Sequence, residues 1–519
     1  KCGMIPHFHC PVIVSAFFRR YTVSGLPAGQ DSRSRSSMLR VGLFTLLAML
    51  PLCLTASALR EPVVLGNEVL RDEDFKSLQG YRLAVLTNPT GVFADTMTLV
   101  VDALNEHPLV NIVAVLSPEH GFRGDHQAET GDPLFYIDKP TGLPVFSAYN
   151  MSTEQLGLLL AGLDVEAVLV DMQDVGVRLY TFIWTMFDVM EAAALQTQQT
   201  SRAKFIIADR PNPLGGLLVD GPLVDMSCAS CVSGYGKYPI PFLHGMTIGE
   251  LALLFADFLH VEVEVAKVRN WNRQQWTERE NYLYPPWVPP SPNLPTLASA
   301  HAYGATVFLE ATTAAEGRGT TTPFTLFGAP FLDAEDLAAA LDGAFGCTGS
   351  KGSGGTGGAG MGSGGTGGGS TRGSAGTSGS VRSGFRAAYF QPTWSKYNGT
   401  TVPGVQWLPE RTLACPTITP INTNISSNSA STPTTNSPFA DGVRILCVIR
   451  DLSSPSDAFQ WDGSWFGHPG TELIDFYAGT PSLREMIDRG LGAEEIVAVY
   501  QSDVETFRVT RAPFLLYEV

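Results

Sequence analysis

Four apolar runs of strand length, each followed by a polar turn, constrain the fold of this chain more than any other feature. Runs that are apolar throughout are typical of strands buried on both faces of a sheet. Helical patterns separate the runs, and this alternation predicts parallel strands. The runs occupy residues 83–86, 111–116, 167–170 and 204–208, with helices predicted at 96–106, 153–161 and 180–194. The first half is therefore predicted to be a Rossmann-like α/β domain.

The second half has a mixed pattern that predicts an α+β domain. Thr247 is a candidate cap for a helix that reaches about His260, residues 261–267 alternate as a strand, and helices are predicted over 471–490 and 493–501. Two low-complexity inserts, at about 346–384 and 411–438, are rich in Gly and Ser or in Thr, Asn, Ser and Pro. Such compositions favour flexible surface loops. We therefore predict two domains, residues 59–240 and 241–519.

Residues 1–58 are predicted to be an upstream segment followed by a signal peptide from about residue 38. A basic start at Met38 precedes an apolar stretch, and Ala56-Ser-Ala58 fits a signal peptidase site. Pro51 and this site favour cleavage, which predicts a secreted or lumenal protein without stable membrane insertion once the signal is removed. The alternative is a signal anchor, because residues 41–59 are just long enough to span a bilayer.

Cysteine and asparagine patterns add two smaller predictions. Cys228-Ala-Ser-Cys231 lacks the second Cys pair or the His pair that a zinc site needs, so a local disulfide is favoured and no metal is predicted. Sequons at Asn150, Asn398 and Asn424 would accept glycans in a secreted chain.

Charge and missing motifs exclude several classes of function. Lys plus Arg number 34 against 50 for Asp plus Glu, a net charge of −16, so no nucleic-acid partner is predicted. An anionic small substrate remains compatible if the pocket itself carries Arg or Lys. The chain has no Gly-rich dinucleotide fingerprint, no Walker A sequence and no Gly-x-Ser-x-Gly elbow. We predict no cofactor and make no prediction of the oligomeric state.

Acidic residues beside His or Arg are the candidate chemical groups. Glu119 follows a buried strand and precedes His120; partial desolvation there would raise its pKa toward that of a general acid, although capping of the next helix is the alternative. Acid–arginine neighbours recur at Asp171, Asp174 and Arg178, at Asp209 and Arg210, and at Glu316 and Arg318. They would bind a sugar and a carboxylate, or else form buried ion pairs that organise loops. His126 and His244 have no metal-ligand spacing and are read as hydrogen-bonding histidines.

At these residues the chain resembles the NamZ-type exo-β-N-acetylmuramidases (glycoside hydrolase family 171, YbbC-like). The resemblance extends from about Gly66 to Tyr517, interrupted by the two inserts. The motifs that carry it are Thr87-Asn-Pro-Thr-Gly-Val92, Ser117-Pro-Glu-His-Gly-Phe-Arg-Gly124, Asp171-Met-Gln-Asp-Val-Gly-Val-Arg178 with Tyr180-Thr181, Asp209-Arg-Pro-Asn-Pro213, His244-Gly-Met-Thr-Ile-Gly-Glu250, Pro290-Ser-Pro-Asn-Leu-Pro-Thr296 and Glu316-Gly-Arg-Gly-Thr-Thr-Thr-Pro-Phe324.

The resemblance implies a Rossmann-like domain, a smaller lid-like domain and an active site between them. It implies release of N-acetylmuramic acid from the non-reducing ends of peptidoglycan fragments, with peptidoglycan-derived muramyl saccharides as partners and Glu119 as the general acid. The second catalytic group is Asp174, Glu316 or the substrate's own acetamide. The catalytic set is Glu119, His120, Asp174 and Glu316, and the substrate-binding set is Asn88, Arg123, Arg178, Tyr180, Asp209, Arg210, His244, Asn293 and Arg318.

The lactyl carboxylate of muramic acid explains why an acidic protein would keep arginine in its cleft, and the candidates are Arg123, Arg178, Arg210 and Arg318. One segment departs from the family pattern: Glu-Gly-Thr-Asn is usual where this chain has Glu310-Ala-Thr-Thr313. This departure supports the alternative function, a catalytically inactive muramyl-sugar-binding protein of the same fold.

Overall fold

The computed structural model describes residues 61–124, 126–127, 133–196, 203–229, 231–274, 285–347, 384–412, 437–453, 458–462 and 472–518. The predicted signal peptide at 38–58, most of both inserts and the sequon at Asn424 lie outside these residues. Secretion and glycosylation therefore stay predictions.

The strands form one large sheet and two small ones. Their bounds are β1 Arg82–Thr87, β2 Asn111–Ser117, β3 Phe135–Ile137, β4 Pro144–Ser147, β5 Ala167–Asp171, β6 Lys204–Ala208, β7 Asp220–Leu223, β8 Pro241–Leu243, β9 Val263–Ala266, β10 Leu326–Gly328, β11 Phe385–Phe390 and β12 Val402–Trp407. The large sheet has the order β3-β4-β2-β1-β5-β6-β9 and is parallel except for the pair β3 and β4. The small sheets, β10-β12-β11 and β7-β8, are antiparallel.

Helices flank the large sheet and make up most of the C-terminal part. Their bounds are α1 Gly66–Asp72, α2 Val100–Glu106, α3 Thr153–Gly162, α4 Phe182–Ala194, α5 Ile248–Leu259, α6 Leu297–Thr306, α7 Ala334–Ala344, α8 Pro409–Thr412, α9 Pro438–Leu452, α10 Leu473–Ala478, α11 Ser482–Asp488, α12 Ala493–Val499 and α13 Gln501–Arg511. Short 3₁₀ turns occupy Lys76–Leu78, Ala148–Asn150, Val307–Ala311 and Ala512–Phe514.

Local sequence explains the elements that position the site. Every residue of β5 is buried, as expected for a central strand covered by helices on both faces. The Thr247 side chain accepts a hydrogen bond from the Glu250 N–H and begins α5, which confirms the predicted cap. The helical stretch predicted over 471–490 is interrupted instead, because Gly479 adopts a left-handed φ of 73° and ends α10.

The architecture confirms the predicted fold class: a mixed α/β protein with a mostly parallel seven-stranded sheet, further helices and smaller antiparallel sheets. The domain boundary at residue 240 stays a prediction, and the last strand of the large sheet, β9, lies beyond it. Cys228 and Cys231 form the predicted local disulfide. In the described part of the chain, none of the helices combines the length and the apolar character that a bilayer crossing requires.

Candidate active site

A cavity of about 520 Å³ lies beyond the carboxyl ends of β2, β4 and β5. This is the edge of a parallel sheet at which ligands bind in open α/β folds. Loops after these strands supply one part of the lining, and Tyr235 and residues from Ser291 to Tyr477 supply the rest. Its lining includes Glu119, His120, Tyr149, Tyr180, Thr181, Tyr235, Tyr303, Glu310, Glu316, Arg318, Phe324, Lys396 and Tyr477.

Glu119 is the cavity carboxyl that the end of β2 presents. Its Oε2 accepts a hydrogen bond of 2.6 Å from the Thr181 hydroxyl, at the start of α4. Burial raises the pKa of the Glu119 carboxyl above its ordinary value, while the hydrogen bond from Thr181 and the charge of Arg318 act in the opposite direction. The carboxyl therefore keeps its proton to a higher pH than an exposed glutamate.

The turn that carries Glu119 has an unusual backbone. His120 has a φ of 72° and Gly121 a φ of 79°, so two successive residues lie in the left-handed region. A non-glycine residue in this region is strained, and such residues cluster at functional sites. The His120 ring also lines the cavity, and its Nδ1 lies 3.2 Å from the carbonyl oxygen of His126.

The segment Glu316-Gly317-Arg318 brings a carboxylate and a guanidinium to the cavity. Gly317 has a φ of +82°, and a Cβ built there would lie 2.1 Å from the carbonyl oxygen of Leu326. Only glycine fits this turn, which allows the side chains on both sides of it to face the cavity. Arg318 Nε donates to Glu310 Oε1 at 2.7 Å and lies 3.7 Å from Glu316 Oε1.

Glu310 and Arg318 are held by further contacts. The Tyr477 hydroxyl donates to Glu310 Oε2 at 2.7 Å, and the Arg318 guanidinium carbon lies 5.2 Å from the centre of the Phe324 ring. Burial alone would lower the pKa of Arg318, but attraction by Glu310 and Glu316 raises it above its ordinary value. The guanidinium is therefore permanently charged.

Lysine and tyrosine side chains complete the wall. Lys396 Nζ donates to the carbonyl oxygens of Leu309, Glu310 and Ala314 at 2.7, 2.9 and 3.0 Å, and lies 3.5 Å from Glu316 Oε2. Burial raises the pKa of the cavity tyrosines Tyr180, Tyr235, Tyr303 and Tyr477, so they remain hydrogen-bond donors with apolar ring faces.

Five residues predicted from the sequence meet in this cavity: Glu119, His120, Tyr180, Glu316 and Arg318. The Tyr180 hydroxyl is buried and has no hydrogen-bond partner among the described residues. The Asn293 amide contacts the cavity indirectly, by donating at 3.1 Å to Gln127, which lines it.

The other predicted residues are absent from the described lining of the cavity, and each has a partner elsewhere. Arg123 pairs with Asp138 at 2.8 Å, Arg178 donates to the carbonyl oxygens of Pro222, Ile240 and Tyr477, and Arg210 pairs with Asp171 at 2.6 Å. Asp209 accepts hydrogen bonds from the Thr247 hydroxyl and the Gly249 N–H, and the Asn88 side-chain oxygen accepts from the N–H and the hydroxyl of Thr90. Asp174 Oδ2 accepts from the Gly176 N–H and lies 3.3 Å from His244 Nε2.

Several cavity residues were not predicted from the sequence as site residues. Tyr235 lies in a Gly-rich turn, Lys396 follows the first insert, and Tyr477 lies in α10. Thr181 lies in one of the family motifs and Glu310 lies in the segment that departs from the family pattern, but the sequence predicts no role for either residue. The lysine and Tyr477 carry no local motif, so only the folded chain brings them to Glu310. Among the described residues, no group of three or more His, Cys, Asp or Glu side chains is arranged to hold a metal ion.

Comparison with known proteins places this cavity in a family context. The N-terminal domain model of the exo-β-N-acetylmuramidase NamZ matches residues 83–298, and the C-terminal domain model matches residues 301–351 and 380–517. The peptidoglycan β-N-acetylmuramidase NamZ of Bacillus subtilis (strain 168) is 33% identical over 487 residues, which cover 93% of this chain and 98% of that protein.

Two crystal structures share the fold. A DUF1343 family protein from Bacteroides fragilis NCTC 9343 is 28% identical with a TM-score of 0.65, over 88% of this chain and 100% of that one. A second DUF1343 protein of the same organism is 26% identical with a TM-score of 0.57, over 88% and 99% of the two chains. The two domain models meet between residues 298 and 301, and the cavity is lined from both sides of this boundary.

Proposed function

The chain belongs to the exo-β-N-acetylmuramidase NamZ family, and on this premise we propose that Glu119 is its general acid. As a member of this family it is a glycoside hydrolase that releases N-acetylmuramic acid from peptidoglycan, and muramyl saccharides are its substrates. This role is supported by the position of the Glu119 carboxyl, which lines the cavity just beyond a parallel strand. Burial raises the pKa of this carboxyl.

Glycosidic bond cleavage needs a proton on the leaving oxygen, because an alkoxide is a poor leaving group. A carboxyl whose pKa lies above its ordinary value is better able to supply it. The Thr181 hydroxyl fixes the orientation of Glu119 by donating to Oε2, and Tyr149 donates a further hydrogen bond to this carboxyl. Both contacts come from residues that also line the cavity, so they orient the acid within its wall.

A second acidic group stabilises the positive charge that develops on the sugar ring, and we assign it to Glu316. Glu316 lines the cavity, and its Oε2 has no hydrogen-bond partner among the described residues, although Lys396 lies 3.5 Å away. Asp174 is turned instead toward Gly176 and His244. Glu310, another carboxylate of the lining, is engaged by Arg318 and Tyr477 and orients the guanidinium.

The segment that departs from the family pattern, Glu310-Ala-Thr-Thr313, differs from it at Ala311 and Thr313. The Thr312 hydroxyl donates to the carbonyl oxygen of Leu309, and the Thr313 hydroxyl donates to that of Ala458. Both side chains therefore bond to the backbone, while Glu310 keeps its place in the wall. The altered positions are Ala311 and Thr313, and neither lines the described cavity, so the proposal of an active enzyme is supported by the family match.

The test compares two substrates that differ in their need for a proton: a muramyl disaccharide and a dinitrophenyl β-N-acetylmuramide. We expect Glu119→Gln to lower kcat/KM for the disaccharide by about 10² to 10⁴ and to affect the dinitrophenyl substrate much less, because dinitrophenolate leaves without protonation. The matched control is Glu316→Gln, which should lower kcat/KM for both substrates by similar factors. Equal losses on both substrates in Glu119→Gln would contradict the assignment.

A further inference from the structure

We propose that Arg318 recognises the lactyl carboxylate of N-acetylmuramic acid and thereby makes the enzyme select muramic sugars over N-acetylglucosamine. The inference rests on the proposed function, since it concerns the same cavity. N-acetylmuramic acid differs from N-acetylglucosamine by the lactyl ether on its O3 oxygen, so a carboxylate is the feature by which a site distinguishes them. A guanidinium is the side chain best suited to bind a carboxylate through two hydrogen bonds.

Location separates Arg318 from the other candidate arginines. Among the described residues, one arginine lines the cavity, and it is Arg318. Arg123 is engaged by Asp138 and Asp102, and Arg210 is buried against Asp171. Arg178 is fully buried, and its guanidinium donates to three backbone carbonyl oxygens. Each of these arginines binds other parts of the protein, and none lies in the described wall of the cavity.

The Arg318 guanidinium keeps donors that the protein does not use. Nε and Nη2 both approach the same oxygen, Glu310 Oε1, at 2.7 and 2.6 Å. Nη1 is itself buried and has no hydrogen-bond partner among the described residues, while the side chain as a whole is 16% exposed. A carboxylate in the cavity would therefore meet N–H groups in need of an acceptor.

Lys396, the other cation of the described wall, is less suitable. An ammonium group has three N–H donors, and its Nζ already contacts three carbonyl oxygens, those of Leu309, Glu310 and Ala314. These contacts connect the turn at Glu310 to the loop between β11 and β12, in which Lys396 lies. The lysine therefore supports the wall, and Arg318 is the group left to bind an anion.

The guanidinium is also held in place before a ligand arrives. Glu310 fixes its Nε edge, the Tyr477 hydroxyl fixes Glu310, and Phe324 lies against the guanidinium plane. Preorganisation of this kind lowers the entropy cost of binding. A sugar without the lactyl group would leave the arginine donors without an acceptor, and a site with unpaired polar groups rejects such an analogue.

The test measures kcat/KM for the dinitrophenyl β-N-acetylmuramide and the matching N-acetylglucosaminide, and the ratio is the readout. We expect Arg318→Gln to lower the muramide-to-glucosaminide ratio by about 10- to 100-fold, the range for one charge-assisted hydrogen-bond contact. Arg318→Lys, which keeps the charge and loses the fork, should lie between this variant and the wild type. A ratio that stays at the wild-type value in both variants would overturn the inference.

Controls separate the possible failures. Arg71→Gln removes an arginine that pairs with Asp95 through two contacts of 2.7 and 2.9 Å outside the described cavity wall, and its ratio should remain that of the wild type. If Arg318→Gln does not fold, Arg318→Lys still tests whether the paired N–H donors of the guanidinium are needed. Wild-type hydrolysis of neither substrate would contradict the function itself, whereas muramide-selective hydrolysis with an unchanged ratio in both variants contradicts the role of Arg318 alone.

Discussion

Two acid–arginine groups lie beyond the strands of the large sheet, and they differ in how completely the protein satisfies them. In the sheet-edge pair, Arg210 donates to Asp171 through Nε and Nη2 at 2.8 and 2.6 Å, and Asn67 donates to the other Asp171 oxygen at 3.0 Å. The side chains of this pair are 5% and 0% exposed. In the cavity group (Glu310, Glu316 and Arg318), two of the three side chains keep polar atoms without a partner among the described residues.

This difference shows why an acid beside an arginine is an ambiguous signal in a sequence. A buried pair with all its contacts inside the protein ties two segments of the chain together, and here Asn67 also donates to the Asp171 carboxylate. A pair at a cavity wall keeps donors and acceptors for a ligand. We therefore expect the sheet-edge pair to act on stability, and the proposed role of the cavity group is in substrate binding and chemistry.

The largest effect is expected when the sheet-edge pair is broken. Arg210→Met leaves the buried Asp171 carboxylate without its cation, and we expect the free energy of unfolding to fall by about 3 to 5 kcal/mol. Urea unfolding measures this loss, and kcat per folded molecule should remain near the wild-type value. The double variant Asp171→Asn/Arg210→Met should recover part of the stability, because no charge is then left unpaired.

A loss below about 1 kcal/mol in Arg210→Met, a value typical of an exposed pair, would contradict this distinction. So would a large change in the muramide-to-glucosaminide ratio, which would assign the sheet-edge pair to the substrate site.

Local patterns in the sequence predict much of the fold. The four apolar runs become β1, β2, β5 and β6 with bounds shifted by at most one residue, because a strand buried on both faces has to be apolar throughout. The antiparallel edge strand β3 and the small sheets were not predicted. Their strands are short or follow an insert, so their pairing depends on distant parts of the chain.

The site was predicted in part, for a similar reason. Glu119 and Arg318 lie in motifs that carry the family resemblance, whereas Lys396 and Tyr477 meet Glu310 only after the chain folds back from beyond the first insert. Sequence alone also left open whether Arg178 binds substrate. Burial lowers the pKa of Arg178 to about 9, and its guanidinium binds carbonyl oxygens, which no local pattern indicates.

An intermediate effect is expected at Gly317, whose backbone aims the cavity group. Gly317→Ala adds a Cβ at a φ of +82° and 2.1 Å from the Leu326 carbonyl oxygen, so the turn has to move. We expect a loss of about 1 to 3 kcal/mol in the free energy of unfolding and a fall of about 10² in kcat/KM. The control is Gly142→Ala, at a φ of +73° with no atom within 4 Å of the new Cβ.

The control variant should lose about 1 to 2 kcal/mol from the backbone alone and keep its kcat/KM. If Gly317→Ala behaves like this control in both measurements, the turn does not position Glu316 and Arg318, and the cavity group loses its structural basis.

The smallest expected effect is a pH dependence, which is measured in the free energy of unfolding for the region of the sheet-edge pair and in kcat/KM for the cavity. Burial raises the pKa of Asp209, beside Arg210, to about 6, although hydrogen bonds from Tyr517, Gly249 and Thr247 oppose the shift. The folded protein therefore binds this proton more tightly than the unfolded chain. The resulting stability is fully present below about pH 4 and is lost as the pH rises through about 6, at no more than about 1.4 kcal/mol per pH unit.

Urea unfolding between pH 4 and 7 measures the slope, and Asp209→Asn should make it shallower because an amide does not titrate, while other buried carboxyls such as Asp441, whose pKa burial raises to about 7, still contribute. Glu119→Gln should leave the stability slope of Asp209 in place and remove instead the fall of kcat/KM on the basic side of the pH profile, where the general acid loses its proton. Parallel curves of stability against pH for the wild type and Asp209→Asn would show that Asp209 does not titrate in this range. The pH dependence of stability would then not report on the region of Asp209.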